Sequence, residues 1–328
     1  MVPVISCLDM EYLNLFCASG GGSKGAFQGG VLESLCNRGI HLDGLVGVST
    51  GSIQAGFLST AAPGLDAQRK KLQELKDYWF SLRKAGDVYR KPLLGDGTLG
   101  ILCRLAFGKS SLYDFAPLRE KLDKALAERP QRPVRLGVVE LGTGDFVVER
   151  PVDRQGLRDA ILASSSIPFF FPPVKPDLVD GGVRDIAPVA AAFRLAAEMI
   201  DDDPDLRGRR LRIFVALASP LAAAEDQRSH WDSAKALSVA QRSIDLLAAE
   251  NYLWDMRGAK SLNSILEYLD AQTCPRPPEL RDKLVAEILC IEPTHRPYSS
   301  LEFNPEKIRA FWSHGRAQAE AALDAEPT

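Results

Sequence analysis

Histidine is scarce in this chain. Four occur in 328 residues: His41, His230, His295 and His314. His41 precedes an apolar strand, at the end away from the serine discussed below. His230 and His314 lie in or beside polar helical stretches, and His295 stands in a proline-rich loop. None has surroundings that resemble a triad base, so a serine enzyme built on this chain is expected to use a carboxylate, with the loop residue His295 as the alternative. The six cysteines form no CxxC pair and no metal-ligand spacing. Reduced thiols are expected rather than disulfides or zinc. No carboxylate cluster suits calcium, and neither a metal nor another cofactor is expected. The net charge of −3 gives no pull toward nucleic acid. No apolar run reaches the ~18 residues that cross a bilayer. Met1 to Phe16 has no cationic region followed by an apolar stretch, and carries Asp9 and Glu11 instead. The expected location is cytoplasmic, or peripheral at a membrane.

Hydrophobic residues are plentiful, at 45%, enough for a substantial core. Leu13 to Ala18 reads as a buried strand, Gly20 to Gly25 as a turn, and Ala26 to Arg38 as a helix ending at Gly39. Leu42 to Val48 repeats the strand, and Thr50 to Thr60 the helix. Strand, glycine turn, helix, repeated, predicts an α/β protein with a parallel sheet. Helices are expected at 65–82, 114–128, 156–164 and 189–200. Strands are expected at 135–139, 145–149, 178–180 and 212–218, with Gly142-Thr143-Gly144 as a hairpin turn. Two long helices close the chain, near 231–254 and 305–323. The organisation predicted is one domain over 1–328. Its core spans about 13–218, with an insertion at about 63–133 and a helical C-terminal region at about 225–325.

Three segments carry chemistry. In Gly47-Val48-Ser49-Thr50-Gly51, a serine sits between a strand and a helix with small neighbours. A sharp turn there projects the hydroxyl, and the helix N-terminus behind it favours a developing negative charge. The plainer reading is a helix-capping serine. In Gly20-Gly21-Gly22-Ser23-Lys24-Gly25, successive glycines let main-chain N–H groups converge on one point. The same run contains GxGxxG, but the acidic partner of a dinucleotide site is missing from the end of the second strand. Lys24 is expected either to hold a substrate phosphate or to lie exposed at a helix start. In Asp180-Gly181-Gly182, a carboxylate ends a strand, where it can serve as a base or simply mark a turn.

Together these segments resemble the patatin-like phospholipases. The resemblance rests on GGGxKGxF at Gly20 to Phe27, GxSxG at Gly47 to Gly51 and DGG at Asp180 to Gly182. It is joined by Ala163-Ser164-Ser165-Ser166-Ile167-Pro168 with Phe171-Pro172-Pro173, and more faintly by Phe303 to Ile308. It covers about residues 13–190 well. It implies a three-layer α/β/α sandwich around a mostly parallel sheet, and a Ser–Asp dyad. Carried over, Ser49 is the nucleophile and Asp180 the base, with N–H groups of Gly21, Gly22 and Ser23 as the oxyanion hole. The implied activity is lipid acyl hydrolysis of phospholipase A or lysophospholipase type, on a phospholipid or lysophospholipid. A thioesterase, an acyltransferase or an idle lipid-binding protein are the alternatives. The sequence departs from the family after the dyad aspartate, where Val183-Arg184-Asp185-Ile186 stands and relatives often carry asparagine.

Residues 81–110 mix the cations Arg83, Lys84, Arg90, Lys91, Arg104 and Lys109 with Leu93-Leu94 and Leu99 to Leu102. Apolar residues laced with cations suit an anionic lipid surface. Packing of the apolar side on the core is the competing reading.

Overall fold

The computed structural model describes residues 12–91, 110–220, 236–281, 283–295 and 299–325. Among these, seven strands form one sheet. They are β1 (Tyr12–Ala18), β2 (Gly44–Val48), β3 (Val134–Glu140), β4 (Phe146–Glu149), β5 (Leu178–Asp180), β6 (Arg210–Ala216) and β7 (Ala286–Ile291). Their order is β4-β3-β2-β1-β6-β7, with β5 also on β3. Neighbours among β3, β2, β1, β6 and β7 run parallel, while β4 and β5 run antiparallel to β3. The sheet is mostly parallel, as the repeated strand–turn–helix pattern implies.

Among the described residues eight α-helices accompany it: α1 (Ala26–Asn37), α2 (Thr50–Ser59), α3 (Leu65–Ser81), α4 (Ala116–Ala125), α5 (Arg154–Ser164), α6 (Val189–Asp202), α7 (Ala236–Ala271) and α8 (Pro305–Asp324). Successive strand residues point to opposite faces, and both faces are apolar because helices cover both. Phe16 and Ala18 of β1, Leu45 of β2 and Phe214 of β6 join the core under α1, α2, α3, α5 and α8. Leu13, Leu15 and Cys17, Val46, and Ile213 with Val215 join the opposite core, under α6 and α7. The result is a helix–sheet–helix sandwich of three layers.

The C-terminal region is not purely helical. Ala286–Ile291 extends the sheet beside β6, a strand absent from the sequence reading. The penultimate helix also runs on to Ala271 rather than Trp254. The last helix starts as expected: Asn304 accepts from the N–H groups of Glu306 and Lys307, and Pro305 opens the first turn. It then lies against α1 at backbone contact. A Cβ on Gly30 would stand 1.9 Å from the Trp312 carbonyl oxygen, and one on Gly315 would stand 2.0 Å from that of Phe27. Gly30→Ala is therefore expected to force the two helices apart. It should cost about 2–3 kcal/mol in urea unfolding; a cost below ~0.5 kcal/mol would contradict this packing. Among the described residues no helix is long and apolar enough to cross a membrane.

Candidate active site

The catalytic candidates gather at the carboxyl ends of the parallel strands, where open α/β sheets place ligands. β2 ends at Val48 and α2 begins at Thr50, so Ser49 alone makes the turn. Its backbone has φ 54° and ψ −123°. A positive φ in a non-glycine residue costs on the order of 1–3 kcal/mol and persists only where its surroundings hold it. The flanking glycines make the turn sterically feasible. A Cβ on Gly47 would lie 2.3 Å from the Gly51 carbonyl oxygen, and one on Gly51 would lie 2.2 Å from that of Ala18. The serine is 5% exposed.

Strand register brings the aspartate to it. Val48 lies opposite Gly137 of β3. Asp180, at the end of β5, lies opposite Val138, the next residue along the same strand. β5 thus continues the edge of β3 that β2 leaves, and the two candidates end on adjacent rungs. The Asp180 carboxyl neighbours the Ser49 side chain, which favours its charged form, and accepts from the Gly182 N–H at 2.8 Å. Its own N–H donates to the Ser166 carbonyl at 3.0 Å. Asp180 is 4% exposed. Burial pushes its pKa up to about 7, against the pull of the Ser49 side chain and the Gly182 hydrogen bond.

No described histidine takes part. His41 faces Asp43 at 3.2 Å and accepts from the Gly64 N–H. His295 and His314 face one another with ring centres 4.8 Å apart. His230 lies outside the described residues.

The glycine run is a 3-10 turn, Gly22–Gly25, leading into α1. Among the described residues, the Gly21 and Gly22 N–H groups meet no acceptor. That of Ser23 is already engaged, donating to the Ser300 carbonyl at 2.8 Å, while its hydroxyl donates to the Ser299 carbonyl at 3.1 Å. Two of the three expected donors therefore remain available in this arrangement. Gly20, beside them, donates to the Ile186 carbonyl, and its Cα hydrogen side lies against the Ser49 Cβ, 3.1 Å from where a Cβ would stand. Gly25 packs against Thr50, and Gly181 against the Gly137 carbonyl. Lys24 is not an exposed helix-start lysine: it is 2% exposed, and its ammonium donates to the Ser219 hydroxyl at 3.1 Å.

The family profile described as patatin-like phospholipase matches residues 16–193. That span holds all three motifs and more than half of the chain. The chain belongs to the patatin-like phospholipase family. Its family is one of lipid ester hydrolases. Among solved structures it resembles VipD from Legionella pneumophila at 14% identity and a TM-score of 0.42, over 96% of this chain and 67% of that one. It also resembles human GIVD cytosolic phospholipase A2 in complex with methyl gamma-linolenyl fluorophosphonate, at 11% identity and a TM-score of 0.37. That match covers 96% of this chain and 60% of the human one.

In this patatin-like chain, Ser49 opens onto a cavity of about 50 Å³. Its walls are almost wholly apolar, with Ile53 of α2, Trp79 of α3, Phe115, Leu118 of α4, Phe171 and Phe303 among them. Residues 299–303 close one side, and the Tyr89 hydroxyl ties them down by donating to the Leu301 carbonyl at 3.1 Å. Lys24 is not in the lining. A larger cleft of about 690 Å³ lies at the other end of the strands, beside Pro133 to Arg135. Its arginines Arg135 and Arg150 are paired with Glu198, and Arg132 is spent on five oxygen acceptors, four of them main-chain carbonyls. Its lining holds no serine, threonine or cysteine. Among the described residues no cluster of side chains could hold a metal ion. Of the proposed lipid-contact segment 81–110, residues 92–109 lie outside the described residues.

Proposed function

We propose that this protein is a serine ester hydrolase of phospholipase A or lysophospholipase type, working through a Ser49–Asp180 dyad. What carries the reading is a serine on a strained strand–helix turn beside a buried carboxyl, at the mouth of an apolar cavity. In this scheme the Ser49 hydroxyl attacks the ester carbonyl carbon and its proton passes to Asp180. The oxygen that turns negative is held by the Gly21 and Gly22 N–H groups, with that of Ser23 joining if its bond to Ser300 opens. Each such donor is worth ~3–4 kcal/mol in the transition state. The intermediate collapses, the carbon–oxygen bond to the lysolipid or headgroup side breaks, and Asp180 returns the proton to the departing oxygen. Water then attacks the acyl-enzyme and gives a proton to Asp180; as the acyl–oxygen bond breaks, Asp180 passes that proton to the Ser49 oxygen, freeing the fatty acid and restoring the dyad. Burial suits Asp180 to both steps, because a base works best when its pKa lies near the operating pH.

The acyl chain enters the apolar cavity in this reading, which requires the side chains around Leu301 and Phe303 to give way. Contact with lipid is peripheral, from a cytoplasmic location. The chain works as a single unit, since β7 and α8 complete the sheet and the helical layer that carry the motifs. Mass spectrometry of a mixed phospholipid extract incubated with the protein tests the proposal. Free fatty acid and lysolipid should accumulate with the wild type and not with Ser49→Ala or Asp180→Ala. Acyl transfer to an added alcohol without free acid would instead make it a transferase, and hydrolysis confined to thioesters a thioesterase. No product from the folded wild type would favour a binding protein.

A further inference from the structure

Ser164 is the last residue of α5 and has no exposed surface. Its hydroxyl accepts from the Ser49 N–H at 2.8 Å and donates to the Gly137 carbonyl at 2.6 Å. One oxygen thus joins the main chain of the nucleophile to the strand on which the aspartate is registered. Gly137 and Val138 are neighbours; the first faces Val48 and the second faces Asp180. Both partners are buried main-chain groups, so each needs a hydrogen-bonding partner inside the protein, and this hydroxyl serves both. A hydroxyl can fill both roles because it donates and accepts at once; a methyl does neither. The Ser49 N–H is also the amide of the strained residue, where a turn must be held from outside. The neighbouring Ser165 hydroxyl reaches the Ser49 carbonyl only at 3.4 Å, a marginal bond.

We infer that Ser164 is a positioning residue for the hydrolysis reaction, setting the distance between the nucleophile and the base by bridging Ser49 to Gly137. The inference rests on the Ser49–Asp180 reading of the site. It assigns function to the Ala163 to Ser166 block, which neither touches the cavity through Ser164 nor supplies a proton acceptor. Loss of the bridge frees the turn at Ser49 to shift along β3. A displacement near 1 Å costs on the order of 10²-fold in rate. It also weakens the interaction with the Ser49 side chain that holds the Asp180 titration down. The charged residues on the elements around Asp180 are Arg135 and Glu140 on β3, Arg154, Arg158 and Asp159 on α5, and Arg184 and Asp185 after the glycines. None of them is among the causes of the shift, which are burial, Ser49 and Gly182.

The test is the rate of labelling by a fluorophosphonate as a function of pH, in the wild type, Ser164→Ala, Ser164→Cys and Ser49→Ala. Ser164→Ala should label about 30- to 100-fold more slowly per folded molecule, with the concentration for half-saturation within a factor of about 3. The midpoint of its acid limb should move up from that of the wild type. Ser164→Cys, which retains a weak donor and acceptor, should fall between, and it decides the matter if the alanine variant does not fold. Lower thermal stability with unchanged rate and unchanged midpoint would overturn the inference and leave the dyad standing. Labelling of Ser49→Ala at the wild-type rate would remove the dyad itself.

Discussion

Ser49→Ala is expected to abolish fluorophosphonate labelling and to lower lipid hydrolysis by at least about 10⁴-fold, the scale seen when a catalytic nucleophile is removed. The substitution deletes one oxygen and leaves every other part of the site in place. Gly21 and Gly22 still present their N–H groups, and the cavity keeps its walls, so any residual rate measures those parts alone. The fold should scarcely notice, because alanine inherits the same unfavourable backbone. Ser49→Gly separates the two effects. Glycine visits positive φ at no steric cost, so this variant should be equally inactive yet more stable than Ser49→Ala by about 1 kcal/mol. Paired urea titrations would show it. Equal stability of the two would mean that the φ of 54° stores no strain, and labelling of either would place the nucleophile elsewhere.

How far the sequence carries such expectations depends on the reach of each feature. The turn at Ser49 is local: an apolar strand, a small residue on each side and a helix start lie within a dozen positions. The Gly20 to Gly25 run is local too, and both are found at strand–helix junctions. Asp180 is different. Three residues of strand give almost no periodicity, and their partner is β3, far back in the sequence. Its place beside Ser49 follows from Val48 facing Gly137 while Asp180 faces Val138, a register that composition does not encode. The engagement of Ser23 depends on Ser300, which only the return of the chain through β7 brings near. Ala286–Ile291 itself could have been found, since it is a short apolar run in β-formers preceding a loop; the flanking long helices masked it. Lys24 is open between two readings in the sequence because burial of a lysine requires a partner, and Ser219, though it follows the neighbouring strand β6, lies 195 residues on. Ser164 is one of three successive serines, and only geometry separates the bridging hydroxyl from its neighbours.

Asp180→Asn should trade activity for stability, and pH reveals the exchange. The variant keeps the shape of the side chain and an oxygen for the Gly182 N–H, but it cannot take a proton. Loss of a base at a hydrolytic serine lowers the rate by roughly 10⁴-fold. In the wild type the rate should climb with pH through about 7, as the buried carboxyl ionises, then level off; the residual rate of Asp180→Asn should lack that rise. Stability moves the other way. The carboxyl titrates at 3.8 without its surroundings and near 7 in the fold. Between those values the folded protein holds more protons than the unfolded chain, so wild-type stability falls as pH increases and stops falling above about 7. The full displacement corresponds to an upper bound on the order of 4 kcal/mol. Asparagine carries no such charge into the interior. Relative to wild type, Asp180→Asn should therefore gain a few kcal/mol at pH 8 and nothing at pH 4. Urea unfolding of both proteins at the two pH values measures this directly. A gain that does not change with pH would show that burial does not raise the aspartate, and would take away the reason for expecting a base matched to neutral solution.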